Sequence, residues 1–237
     1  MAIEVAVAQV LKTLRAAAER ASRTPASITL VAVSKTKSIE QMVAYATIAA
    51  REGMTAVFGE NYLQEIKAKR PQLPQGSELH MIGPLQSNKI RDAVLLCDVI
   101  ESVHTLKTLQ LVIKEAARIN KRQRILLQVN IGSDPNKSGF SPHELLEALS
   151  VCATNERDVQ LEGLMTILPY EEEPEASRPH FKAMSELRNR LLSEGRAEAF
   201  HYGAIALSMG MSDDFHLAIE EGADIVRVGT ALFGERD

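Results

Sequence analysis

Cysteine is scarce: Cys97 and Cys152 are the two in 237 residues, both in apolar surroundings (LLCDV and LSVCAT), and neither has metal-ligand spacing to a neighbour. This excludes a disulfide framework and predicts two buried, reduced thiols in a reducing compartment. Long apolar runs are missing too: none approaches the roughly 18 residues needed to cross a bilayer, which excludes membrane insertion. Positive charge is not in excess, since 27 Lys and Arg stand against 31 Asp and Glu, giving 27 − 31 = −4. That excludes phosphate-backbone binding as the main activity, because nucleic-acid binding needs a basic face. There is no linker rich in Gly, Pro or Ser, no internal repeat, no G-x-G-x-x-G after the first strand candidate, and no His/Cys/Asp/Glu cluster with zinc or EF-hand spacing. The expectation is one domain over residues 1–237, cytoplasmic, without a bound metal.

What is present is ample material for a core: 45% of residues are hydrophobic and 24% charged, the balance of a globular protein. Ile3, Val7, Val10, Leu11, Leu14 and Ala18 recur at helical spacing, so residues 3–22 read as an amphipathic helix. Glu4 and Glu19 argue against a transit peptide. The segment 1–27 is expected to pack on the fold as an extra helix. Eight short β-branched or apolar runs follow: 28–34, 56–59, 79–83, 99–103, 125–131, 161–168, 203–208 and 225–228. Helical patterns separate them. Ser38 with Gln41, and Ser141-Pro142-His143-Glu144, carry the spacing of capping boxes, and Ser212-Asp213-Asp214 reads as a further helix start. Strands alternating with helices pair in parallel through right-handed crossovers, and eight such units close into an α/β single (β/α)8 TIM barrel. An open doubly wound sheet is the structural rival. The stretch Pro169–Pro179 (PYEEEPEASRP) reads as an acidic surface loop.

In a barrel the chemistry belongs at the carboxyl ends of the strands. Lys35 ends the first run, where an amine held at an apolar mouth is partly desolvated and favours the neutral form that makes a Schiff base. The last run opens into Gly229-Thr230, and the seventh into Ser208-Met209-Gly210-Met211-Ser212, two small-residue turns after the strands whose loops commonly hold phosphate. Asp213 and Asp214 place an anion closer to Ser208 and Gly229. Arg227 lies one alternation before Gly229 and so points inward, where a buried guanidinium calls for a carboxylate or a functional partner. An amine for an aldehyde, a phosphate cradle and an arginine facing a ring nitrogen make the set that pyridoxal phosphate needs. An arginine there disfavours ring protonation, so transamination is not expected. His80 reads as a core histidine, His201 and Tyr202 as structural residues at the opposite end, and His104 as a neighbour of a helix cap at Thr105.

The stretches LVAVSKTK (30–37), FGENYLQE (58–65), HMIGPLQSNK (80–89), KSGF (137–140), GLMTI (163–167), LSMGMSDDF (207–215) and VRVGTALFG (226–234) resemble, in order, the YggS/PROSC family of pyridoxal phosphate homeostasis proteins. The resemblance covers nearly the whole chain after the first helix. It implies a single barrel similar to the alanine racemase N-terminal domain, pyridoxal 5'-phosphate on Lys35, phosphate at Ser208, Gly229 and Thr230, Arg227 near the ring nitrogen and Asn61 near the ring. Leu79, Asp224 and the SDPN turn before Lys137 depart from the family pattern without touching that shell.

Racemisation needs an acid/base on each face of the substrate carbon, and Lys35 serves one. Alanine racemases, which VRVGTALFG also resembles, take the second base from a carboxyl-terminal domain. This chain stops three residues after Gly234, Ile167 stands where those enzymes tend to have His, and Lys137 where they tend to have Arg. No catalytic residue is therefore assigned. The expected function is intracellular cofactor homeostasis, buffering or delivering pyridoxal phosphate to apo-enzymes, by a protein expected to be monomeric. The alternatives are a weak amino-acid racemase, with Tyr62 as the second base, and a Schiff-base aldolase whose phosphate belongs to a sugar.

Overall fold

The computed structural model describes residues 2–132, 138–168 and 172–235. Lys137 with the SDPN stretch before it, and residues 169–171 of the acidic stretch, lie outside the described residues. Eight strands form a closed, all-parallel barrel in chain order: β1 (Thr29–Val33), β2 (Val57–Glu60), β3 (Glu78–Met81), β4 (Val99–Val103), β5 (Gln123–Gln128), β6 (Val159–Met165), β7 (Ala206–Ser208) and β8 (Ile225–Val228). β8 returns to pair with β1, Arg227 opposite Val31, which seals the ring. All eight expected strands form. The third, fifth and sixth end earlier than expected, at Met81, Gln128 and Met165, and the seventh begins only at Ala206, because His201–Gly203 is a 3-10 turn in which Tyr202 takes a left-handed φ of 54°.

The helices are α1 (Ala2–Arg20), α2 (Ile39–Arg51), α3 (Leu63–Lys69), α4 (Ile90–Leu96), α5 (Leu106–Arg118), α6 (Pro142–Thr154), α7 (Arg178–Ser193), α8 (Phe215–Glu220) and α9 (Thr230–Phe233). α1 lays Val7, Val10, Leu11, Leu14 and Ala18 on the barrel's outer layer, in contact with α2, α8 and α9. Two local signals hold as read. Ser38 and Ser141 each accept from the backbone of a residue three further on, whose side chain reaches back to the cap, completing both capping boxes. The start at Ser212 does not form. α8 begins at Phe215 behind Asp214, and the Ser212 hydroxyl turns to the β8–α9 backbone, where two N–H groups compete for it.

The core has two parts. Between strands and helices lies a large apolar layer that takes in Cys97 and Cys152, both free, whose thiols burial pushes up to about 12. Inside the ring, Val31, Val57, Val99, Leu126, Met165 and Ile225 form a smaller apolar plug. Side chains on one face of a strand recur every second residue. Two positions beyond the plug, toward the carboxyl ends, β4 therefore carries Glu101 and β8 Arg227, and β7, two beyond Ala206, carries Ser208. At the matching place β2 has Gly59, where a Cβ would stand 2.8 Å from both Val31 and Ile82 side chains.

Candidate functional site

β1 runs out at Val33; Ser34 ties its N–H to the Gly59 carbonyl at 2.9 Å, and half-buried Lys35 follows. Because β1 and β8 are paired, Lys35 and the Gly229-Thr230 turn come to the same side of the mouth. Between them opens a cavity of about 200 Å³, whose wall includes Lys35, Lys37, Ser212, Asp213, Arg227, Gly229 and Thr230. Three cations face one carboxylate there, so the cavity favours an anion. The Gly229 N–H donates to the Ser212 hydroxyl at 3.1 Å and the Ala231 N–H points at the same oxygen at 3.5 Å. These are donors of the kind that hold phosphate. A Cβ at Gly229 would stand 3.3 Å from that of Val33, a tight contact.

Arg227, 4% exposed, has both terminal nitrogens engaged at the back of the cavity wall. Its Nη1 donates to Ser208 Oγ at 2.5 Å and its Nη2 to the Thr166 carbonyl at 2.6 Å, with Glu101 Oε2 4.0 Å away. Glu101 is the carboxylate that a buried arginine calls for. It accepts from the Ser208 hydroxyl at 2.6 Å through one oxygen and pairs with His80 Nδ1 at 2.6 Å through the other. Burial alone would raise Glu101; the bond and charge of His80, then Arg227 and Ser208, outweigh it and hold the carboxyl below its usual range. Burial likewise pulls the His80 imidazolium down, but its bonds to Glu101 and Glu78 win and push it up to about 9. Burial draws the Arg227 guanidinium below its ordinary value, against the pull of Glu101 and Asp214. The polar chain continues from His80 Nε2 to Glu78 at 3.4 Å and from Glu78 to Arg124 at 2.6 Å.

Of the residues singled out in the sequence, Lys35, Arg227, Gly229 and Thr230 line one cavity. Ser208 is adjacent but turned away: it is 0% exposed, its hydroxyl is taken by Arg227 and Glu101, and the serine on the wall is Ser212. Asn61, at the end of β2, is half-buried and off the wall, with its backbone pressed on Gly83, where a Cβ would stand 2.6 Å from the Asn61 Cα. Tyr62 is half-exposed at the start of α3. His104 precedes the Thr105 cap as expected, its Nδ1 bonded to the Ser102 carbonyl at 2.9 Å. Glu101 had a readable signal, an acid inside the apolar run VIESV in inward phase. Ser212 had none, because its sequence context is equally that of a helix start.

A larger cavity, about 580 Å³, opens at the amino ends of the strands near His201 and Tyr202. It is farther from the mouth chemistry, and its charges neutralise one another: Arg124 pairs with Glu78 and Glu162, and Arg188 with Asp224. Among the described residues no group of three or more His, Cys, Asp or Glu is placed to hold a metal, and no helix is long and apolar enough to cross a membrane.

A closed parallel barrel with a lysine at the end of β1 and a glycine turn after β8 defines the class: residues 6–237 match the family described as alanine racemase, N-terminal domain. Whole alanine racemases share the fold at low identity; that of Clostridium difficile 630 in complex with cycloserine superposes with a TM-score of 0.66 at 15% identity, over 95% of this chain and 59% of that one. Within that class the chain belongs to the pyridoxal phosphate homeostasis protein family. It is 38% identical over 231 residues to the Aquifex aeolicus member (97% of this chain, 96% of the relative), and 40% over 236 residues to that of Pseudomonas aeruginosa (98% and 94%). The structure of PipY from Synechococcus elongatus PCC7942 with PLP bound is similar, with a TM-score of 0.76 and 34% identity, covering 92% of this chain and all of that one.

Proposed function

We propose that this protein binds pyridoxal 5'-phosphate at the β1–β8 mouth, on Lys35, and serves cofactor homeostasis, without sustained turnover of amino acids. The observation that carries this is the cavity that puts an amine, a bare glycine backbone and an inward arginine on one wall. The relatives bear the name of that role, and PipY has been captured with PLP. When bound, the cofactor would supply an aldehyde for a primary amine such as that of Lys35 to hold reversibly.

The residues divide the work. Lys35 supplies the amine. Gly229 and Thr230, with the Ser212 hydroxyl, offer donors for the phosphate, and Lys37 adds charge at the rim. Ser208 stands behind Arg227 and orients it, and Asn61, just after β2, would stand near the ring. Arg227, a buried cation, would keep a proton off the nitrogen of a ring placed beside it. With the ring a weaker electron sink, amino-acid chemistry is slow and reversible holding is favoured. The protein acts in the cytoplasm as a monomer and passes cofactor to apo-enzymes.

The test is the visible spectrum of the protein with pyridoxal phosphate, before and after borohydride, with peptide mapping, compared with Lys35→Ala. A yellow band lost on reduction, with the adduct on Lys35, supports the assignment. A colourless wild type, or an adduct elsewhere that Lys35→Ala leaves unchanged, refutes it and revives the aldolase. Racemisation of L-alanine that Tyr62→Phe abolishes, with cofactor retained, would establish the racemase instead.

A further inference from the structure

Lys69 closes α3 and is 9% exposed, an unusual place for an ammonium. Its Nζ makes three bonds, the full donor capacity of the group: to the Ser34 carbonyl at 2.8 Å, to Glu60 Oε1 at 2.8 Å and to Glu65 Oε2 at 2.6 Å. The partners are themselves tied to the same turn. Glu65 Oε2 accepts the Thr36 N–H at 2.7 Å, and the Ser34 hydroxyl donates to Glu60 Oε1 at 2.7 Å. One buried ammonium thus grips the residue before Lys35 directly and the residue after it through Glu65.

The turn needs gripping. Thr36 has φ of +64°, a left-handed conformation that a β-branched residue adopts only under constraint. Relaxation of Thr36 would swing the preceding peptide and with it the direction of the Lys35 side chain. A buried ionic cluster is also a poor way to gain stability, since apolar side chains of similar volume often do as well. Glu60 is completely buried and one of its oxygens has no hydrogen-bond partner, so the cluster is not optimised for stability. Its geometry is spent on the backbone around one lysine.

We propose that Lys69 is a positioning residue for Lys35: through the Ser34 carbonyl, and through Glu65 on the Thr36 amide, it holds the turn that presents the Lys35 amine to the mouth cavity. This rests on the assignment of Lys35 as the amine that takes the aldehyde of pyridoxal phosphate. The phosphate donors belong to the turn after β8, which among the described residues makes no bond to the Lys69 cluster, so Lys69 governs the bond-forming step and leaves the docking of the anion unaffected.

The experiment follows the rate at which the visible band forms when the full chain is mixed with increasing pyridoxal phosphate, separating limiting rate from half-saturating concentration. Lys69→Met is expected to lower the limiting rate at least tenfold, since misplacement by about 1 Å can cost that much or more, with half-saturation held within about twofold. Lys69→Arg, which keeps the charge and donors, should recover part of the rate. Glu65→Gln, on the partly exposed side, should give an intermediate loss, and it alone decides the matter if Lys69→Met does not fold. A lower melting temperature with an unchanged limiting rate per folded molecule would show a structural role only and overturn the proposal. Failure of the underlying assignment looks different: Lys35→Ala would then form the same band and the same borohydride adduct as the wild type, whatever Lys69 does.

Discussion

Replacing Glu101 by glutamine removes the one carboxylate that faces both His80 and Arg227 inside the ring, and the cost can be worked from the geometry. The His80 imidazolium, at 6.5 when unperturbed, is pushed up to about 9 in the folded chain, against burial, by Glu101 and then Glu78. A difference of 9 − 6.5 = 2.5 units corresponds to on the order of 3 kcal/mol of preference for the charged, folded state. The sign follows from a raised folded value: the stabilisation is complete below about pH 6.5 and disappears as pH rises through about 9. Glu78 does not replace Glu101, being 3.4 Å from His80 and shared with Arg124 at 2.6 Å. Glu101→Gln should therefore lose on the order of 3 kcal/mol at pH 6 in urea unfolding followed by far-UV circular dichroism. The gap from wild type should shrink by pH 10, where His80 is neutral in both proteins; what persists measures the Arg227 side of the carboxylate. A gap that stays the same from pH 6 to pH 10, or one under about 0.5 kcal/mol at pH 6, would refute the pairing as an energetic element.

Gly83→Ala should melt lower by about 1–3 kcal/mol and hold pyridoxal phosphate less well, because its Cβ must displace the Asn61 backbone from 2.6 Å; equal melting and cofactor retention would show that the β2 end yields freely. Ser141→Ala should cost about 1 kcal/mol in urea unfolding by removing the α6 capping box. Cys97 and Cys152 should stay unmodified by a thiol reagent at pH 8 until urea unfolds the chain, since burial pushes both thiols up to about 12. Modification of either in the native protein would point to local opening of the helix that covers it.

The barrel was legible because its signals are local and repeated. Runs such as ITLVAVS and IVRV carry their own punctuation, and the capping boxes at Ser38 and Ser141 mark their helices by spacing alone. The ends of β6 and β7 were not, since Ile167, Leu168 and Gly203 to Ile205 have strand-like composition but stand outside the β6–β7 register, which runs from Gly163 opposite Ala206 to Met165 opposite Ser208. The site was legible where strand phase decides: Lys35 at the end of β1, Arg227 in inward phase, Gly229 after it. It was opaque where a side chain's partner lies far along the chain. Ser208 and Ser212 are four residues apart in the same turn, and only the position of Glu101, 107 residues from Ser208, shows which of them turns inward. Lys69 is similar, because its role depends on a carbonyl 35 residues earlier.

The seam between the first strand and the last has a consequence for assembly. Lys35 and Gly229 are far apart in sequence and become neighbours only when β8 closes on β1. Until that pairing forms, the amine of Lys35 has no pocket beside it. A molecule held across that seam would act as a clasp, opposing any excursion in which the two strands part.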